Sequence, residues 1–209
     1  MQSNKPAVFL LLSVVGVVFF VLAMGQIGEN KPKGLDASLG MVELGVLNEG
    51  YYPWEAEAKS LKKRLQDLSL PALTEEGTVL HTHQHLDIYI NGEKIDVPSD
   101  IGINKEEGFI SPIHTHDLSG VIHVESPTVE DFTLGQFFGV WGVRFNKDCI
   151  GAYCAGPDNS LKVYVNGEES KIDPDLIVLA PYQEIVIVYG SRTNTPSAIP
   201  ASYDFGPNL

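Results

Sequence analysis

A chain of 209 residues, 44% hydrophobic and with only two cysteines, is too apolar to be wholly disordered and too cysteine-poor to rest on a disulfide scaffold. The formal net charge of −13 falls entirely on residues 70–209, which carry seven basic and twenty acidic side chains, while residues 1–69 balance seven against seven. A domain of that sign repels phosphate backbones and anionic headgroups, which argues against a nucleic-acid role and against docking on an anionic lipid surface.

Ala7 to Met24 is an apolar run, and no charge interrupts the chain between Lys5 and Glu29. About 20 such residues span a bilayer core, whereas the apolar part of a cleaved signal is shorter. Residues 1–28 therefore predict a signal-anchor or transmembrane helix, with a cleaved signal ending near Ala23-Met24-Gly25 as the alternative. A short stub before the span and a long acidic domain after it place that domain outside the cytoplasm, at the cell surface or in the periplasm. Residues 29–70 predict a linker and an amphipathic helix over Trp54–Leu68, with Leu61, Leu65 and Leu68 on one stripe and Pro71 ending it.

From His81 the period changes to two. His85–Ile90 alternates and Asn91-Gly92 follows, the strongest short signal for a hairpin. Leu86–Glu93 returns as Leu161–Glu168 at an offset of 75 residues, either as a duplicated unit or as convergence on good hairpin chemistry. The second copy has no histidine, so the hairpin does not need one. Further strands are expected at Ile110–His116, Val121–Glu125, Leu176–Leu179 and Glu184–Tyr189, with a short helix capped by Thr133 between them. The expected fold over residues 71–209 is mainly β, an antiparallel β-sandwich or open barrel with one or two short helices, behind the N-terminal transmembrane helix.

All six histidines fall in two clusters, His81-Thr82-His83-Gln84-His85 and His114-Thr115-His116 with His123. Side chains at i and i+2 of a strand share a face about 7 Å apart, so two can lean onto one ion, whereas i and i+4 stand about 13 Å apart. His81, His83 and His85 should therefore not all bind one ion on a straight strand. The turn-like Asp117-Leu118-Ser119-Gly120 closes the second cluster. A two-residue loop centred on Leu118-Ser119 or on Ser119-Gly120 brings His114, His116, His123 and Glu125 to one face. The expected ligands are His81, His83, His85, His114, His116, His123 and Glu125, holding one or two ions. Imidazole-rich, thiolate-poor sets suit transition metals, here zinc or copper, and the methionines at 1, 24 and 41 leave the β-domain without one. Cys149 and Cys154 are expected to form a local disulfide.

The phrases His81–Glu93, Ile110–Asp117 through Ser126-Pro127, and Phe132–Trp141 resemble a family of exported or membrane-anchored proteins of bacteria and archaea over roughly residues 75–205. That resemblance implies an extracytoplasmic domain and no mechanism. The His-x-His plus third-His layout is also similar, in geometry only, to alpha-type carbonic anhydrase. The leading functional expectation is a membrane-anchored, extracytoplasmic zinc- or copper-binding protein with an accessory role in metal handling. One alternative is a His-ligated metalloenzyme activating water, with Glu125 or Asp117 as base or orienting group. The other is an accessory subunit of a membrane complex with a structural metal.

Overall fold

The computed structural model describes residues 47–207. In chain order the elements are α1 (Leu61–Asp67), β1 (Leu80–Ile90), β2 (Glu93–Ile95), β3 (Ile103–Asn104), β4 (Phe109–Ile110), β5 (Ile113–His114), β6 (Val121–Ser126), α2 (Leu134–Trp141), β7 (Cys149–Ile150), β8 (Tyr153–Cys154), β9 (Ser160–Val165), β10 (Glu168–Glu169) and β11 (Glu184–Gly190). Seven strands form one open sheet in the order β10-β9-β11-β1-β6-β5, with β2 added on β1. The pairs β3–β4 and β7–β8 stand as two small ladders of their own.

The long strand β1 organises the sheet. Its first half pairs antiparallel with β6, from Leu80 opposite Ser126 to His85 opposite Val121. Its second half pairs antiparallel with β2 and parallel with β11, from His85 opposite Glu184 to Ile90 opposite Tyr189. Asn91 and Gly92, at φ 53° and 88°, turn β1 into β2, and Asn166 and Gly167, at φ 51° and 83°, turn β9 into β10. Both hairpins use the left-handed pair that matches the twist of the strands they join.

Alternation gives the sheet two unlike faces. Leu86, Ile88 and Ile90 of β1, Ile122 and Val124 of β6, and Ile185 and Ile187 of β11 point into one core. Leu61 and Leu65 of α1 and Leu134, Phe137, Phe138 and Trp141 of α2 complete that core, so the helices cover the apolar face. The opposite face carries the histidines. Thr133 caps α2 through its hydroxyl, which accepts from Gln136 N, while the Gln136 side chain accepts from Thr133 N.

Several expectations are corrected here. The fold is not an antiparallel sandwich or a barrel: it is one open mixed sheet with short helices, and β1–β11 is a parallel pair. Parallel neighbours need a long crossover, so this pairing is set by contacts nearly a hundred residues apart and leaves no local signal. The strand expected over Ile110–His116 breaks at Ser111-Pro112, and β4 and β5 find different partners. Leu176–Leu179 is a 3-10 turn, Pro174–Leu176, followed by a single bridge from Val178 to Thr133.

The helix expected from Trp54 begins only at Leu61. Trp54 is drawn into the core, edge-on to Trp141, and its indole N–H donates to Gly50 O at 2.9 Å. Arg64, off the Leu61-Leu65-Leu68 stripe of that helix, is 2% exposed; its Nε donates to Val140 O and its guanidinium pairs with Glu57. A cation at the last turn of α2 complements the negative end of that helix.

The anchor expected over residues 1–28 and the linker to residue 46 lie outside the described residues. Among the described residues no helix is long and apolar enough to cross a membrane. The transmembrane helix, the signal-anchor, the membrane as a partner and the extracytoplasmic placement that followed from them therefore have no element of the described fold behind them, and are withdrawn.

Candidate metal centre

Three neighbouring strands build the site. β6 lies between β1 and β5, and register sets His83 opposite His123 and His123 opposite His114. Residues directly opposite on paired strands carry Cβ atoms about 4.5–5.5 Å apart, so three imidazoles form one row across the sheet. His81 opposite Glu125 forms the next row. His116 follows His114 by two residues just past the end of β5. Of the two registers open to the hairpin, the chain adopts the one with Leu118-Ser119 at its centre.

The ring nitrogens converge. His81 Nε2 lies 3.2 Å from His83 Nε2, and His114 Nε2 lies 3.1 Å from His116 Nε2. Glu125 Oε1 is 3.2 Å from both His81 Nε2 and His123 Nδ1. Two sets result, His81, His83, His123 and Glu125, and His114, His116, His123 and Glu125, each with its ligand atoms within 4.8 Å of one another. Both sets are positioned to hold a metal ion. Nitrogens held tetrahedrally at 2.0–2.1 Å from zinc stand about 3.3–3.4 Å apart, close to the nitrogen separations within the two outer pairs.

Burial grades the cluster from floor to rim. His114, Glu125 and His83 are 0%, 3% and 6% exposed, whereas the side chains of His81 and His116 are 54% and 40% exposed. Burial pushes His83 down to about 4, helped by the neighbouring His123 and His81. Burial likewise pushes His114 down to about 4, against the pull of Glu125 and with help from His116 and His123. Burial alone raises Glu125, but the hydrogen bond from His123 and the charges of His114, His81 and His123 outweigh it and hold the carboxyl below its usual range. At neutral pH the floor is thus two neutral imidazoles and an ionised carboxylate, the protonation states a cation requires.

Orientation comes from the surrounding backbone. His114 Nδ1 faces the Ser111 carbonyl at 3.0 Å, so that nitrogen donates and Nε2 keeps its lone pair for the cluster. Glu125 N donates to Pro112 O at 2.8 Å, which ties β6 to the chain just before β5. Gly120, at φ +85°, lets the hairpin lie against β1: a Cβ there would stand 2.7 Å from Leu86 O and 3.2 Å from His85 Nε2.

His85 stands apart from its strand mates. Its Nδ1 is 2.8 Å from Glu184 Oε2, its Nε2 is 2.9 Å from Ser119 O, and Tyr203 stacks on its ring at 3.8 Å. His85, Asp87 and Glu184 make a third set close enough to hold an ion. Lys94 Nζ, 2.6 Å from Asp87 Oδ1, already places a cation there. Asp117 belongs to none of the sets; the Ser119 side chain and the Ser119 N–H, which donates to its carboxylate at 2.8 Å, hold its pKa down. Cys149 and Cys154 are joined as a disulfide across the β7–β8 hairpin.

Sequence reasoning missed Glu76, Asp87 and Glu184. Glu76 Oε1 reaches His116 Nε2 at 3.5 Å and lines a hollow of about 260 Å³ with Thr78, Val79 and Pro127. No spacing rule links Glu76 to His116 or Glu184 to His85, because each pair meets only in the folded sheet. No family model, no curated protein and no solved structure matches the chain.

Proposed function

We propose that the chain is a His-ligated metalloenzyme whose zinc or copper ion activates water for hydrolysis or hydration. The observation that carries this is the graded cluster: a buried floor of His83, His114 and Glu125 beneath a rim of exposed His81 and His116. A structural site is closed on all sides, whereas a catalytic one keeps a side open to water and substrate. The expectation of a membrane-anchored accessory protein has no membrane-crossing helix behind it among the described residues.

Among the described residues the only cysteines are in the disulfide and no methionine occurs, so imidazole and carboxylate are the donors on offer. That set accommodates zinc and copper(II) alike, and water activation without redox chemistry favours zinc. When bound, zinc lowers the pKa of water to near 7. The residues of the chain do the rest. His114, oriented by the Ser111 carbonyl, offers Nε2 without first losing a proton. Glu125, ionised and beside His81 and His123, supplies the anionic oxygen that offsets the charge of a bound cation.

The test is to strip the purified full chain with chelator, restore zinc or copper, and measure hydrolysis of an activated ester and hydration of carbon dioxide. Metal-dependent turnover that His114→Ala abolishes is expected. Turnover no higher in the zinc- and copper-loaded chain than in the stripped chain would overturn the proposal.

A further inference from the structure

The cluster offers more ligands than one ion can use. Five imidazoles and a carboxylate converge, but the 4.8 Å groupings split them into two sets, with His81 and His83 in one and His114 and His116 in the other. Only His123 and Glu125 belong to both. The split follows from topology. The shared pair lies on the middle strand β6, one outer pair comes from β1 on one side, and the other comes from β5 and the residues after it on the opposite side. Within each outer pair the nitrogens are 3.2 and 3.1 Å apart, the spacing of two ligands on one ion. A single ion satisfying one pair would leave the other pair, including the buried imidazole of His83 or His114, joined only by a nitrogen-to-nitrogen hydrogen bond in which one ring donates, although both nitrogens stand at ligand spacing.

We infer that the centre is dinuclear: one ion on His81 and His83, a second on His114 and His116, with Glu125 bridging them through its two oxygens and His123 completing the sphere of one. This rests on the metal-centre reading above and extends it to the number of ions and the identity of the bridge. Ions sharing a carboxylate stand about 3.5–4 Å apart, near enough to bind two oxygens of one substrate, as phosphate and carboxylate esters present them. The acidity of the domain, where all of the chain's −13 resides, favours a second dication beside the first.

The experiment uses the full chain with zinc alone and copper(II) alone. Equilibrium dialysis followed by elemental analysis should give two ions per chain. His81→Ala and His116→Ala, both at exposed rim positions that leave the fold intact, should each weaken a single ion by about tenfold or more while the other stays bound. Two bridged copper(II) ions couple magnetically, so the resonance of the loaded wild type should account for much less copper than is present. Either variant at one copper per chain should recover the full signal. One ion per chain in the wild type, or two ions with uncoupled spectra, would overturn the inference. Metal-dependent hydrolysis with only one ion bound would leave the water-activation proposal standing without the bridge. Two coupled ions with no hydrolysis would do the reverse.

Discussion

His123 Nδ1 stands 3.2 Å from Glu125 Oε1 on the middle strand β6, two residues apart on one face, and this pair is where the two histidine clusters of the sequence meet. The first cluster alone brings His81 and His83 within reach of one another, and the second brings His114, His116 and His123. Through β6 they become one centre, since β1 supplies His83 opposite His123 and β5 supplies His114 opposite the same residue.

Replacing His114 by Ala should lower metal affinity at least ~10-fold, because it removes a ligand at the floor and the group that Ser111 orients. The same change opens a void at a fully buried position and should cost about 1–3 kcal/mol in the metal-free chain. Tyr164→Ala, in the histidine-free β9–β10 hairpin, should alter stability with metal content unchanged. Elemental analysis and urea denaturation of both variants check this; equal metal loss in the two would sink the assignment.

Removing the metal should expose a pH-dependent stability. His83 and His114 are held near 4 in the folded chain against an ordinary 6.5. Between those values the unfolded chain binds protons on these two rings that the folded chain refuses. Stability therefore rises with pH across the window, is fully present above about 6.5 and is lost as pH falls toward about 4. Glu125, lowered from 4.5, acts in the same direction at the acidic end. Melting curves of the chelator-treated chain from pH 7 to pH 4 should show a falling midpoint, and His83→Gln should flatten the slope.

His85→Ala should separate the third set from the centre. The substitution leaves Glu184 buried without its imidazole partner and removes the surface on which Tyr203 stacks, a loss of about 1–3 kcal/mol. Metal stoichiometry should not change. Denaturation with parallel dialysis reads both quantities, and a lost ion would restore His85 to the ligand set.

Thr133→Ala should remove the hydroxyl that accepts from Gln136 N at the start of α2. A cost of about 0.5–2 kcal/mol is expected, seen as an earlier urea midpoint with metal affinity unchanged. A loss of metal without a loss of stability would mean that α2 contributes to the centre directly.

Local chemistry determined much of this protein from the sequence. Asn91-Gly92 and Asn166-Gly167 encode their hairpins, because few other dipeptides accept two left-handed residues in succession. Thr133 and Gln136 encode the start of α2 for the same local reason. Period-two spacing put His81 with His83 and His114 with His116, and the turn at Leu118-Ser119 put His123 and Glu125 on their face, since parity along a strand is a property of the chain itself. What lay beyond it depended on residues far apart. The parallel pairing of β1 with β11, the withdrawal of Trp54 into the core in place of an early helix, the burial of Arg64 of α1, the meeting of Glu184 with His85 and of Glu76 with His116, and the placing of β6 between β1 and β5 were decided by the tertiary structure. Each is a contact between surfaces that exist only once the sheet has formed, so no spacing or periodicity along the chain specifies it.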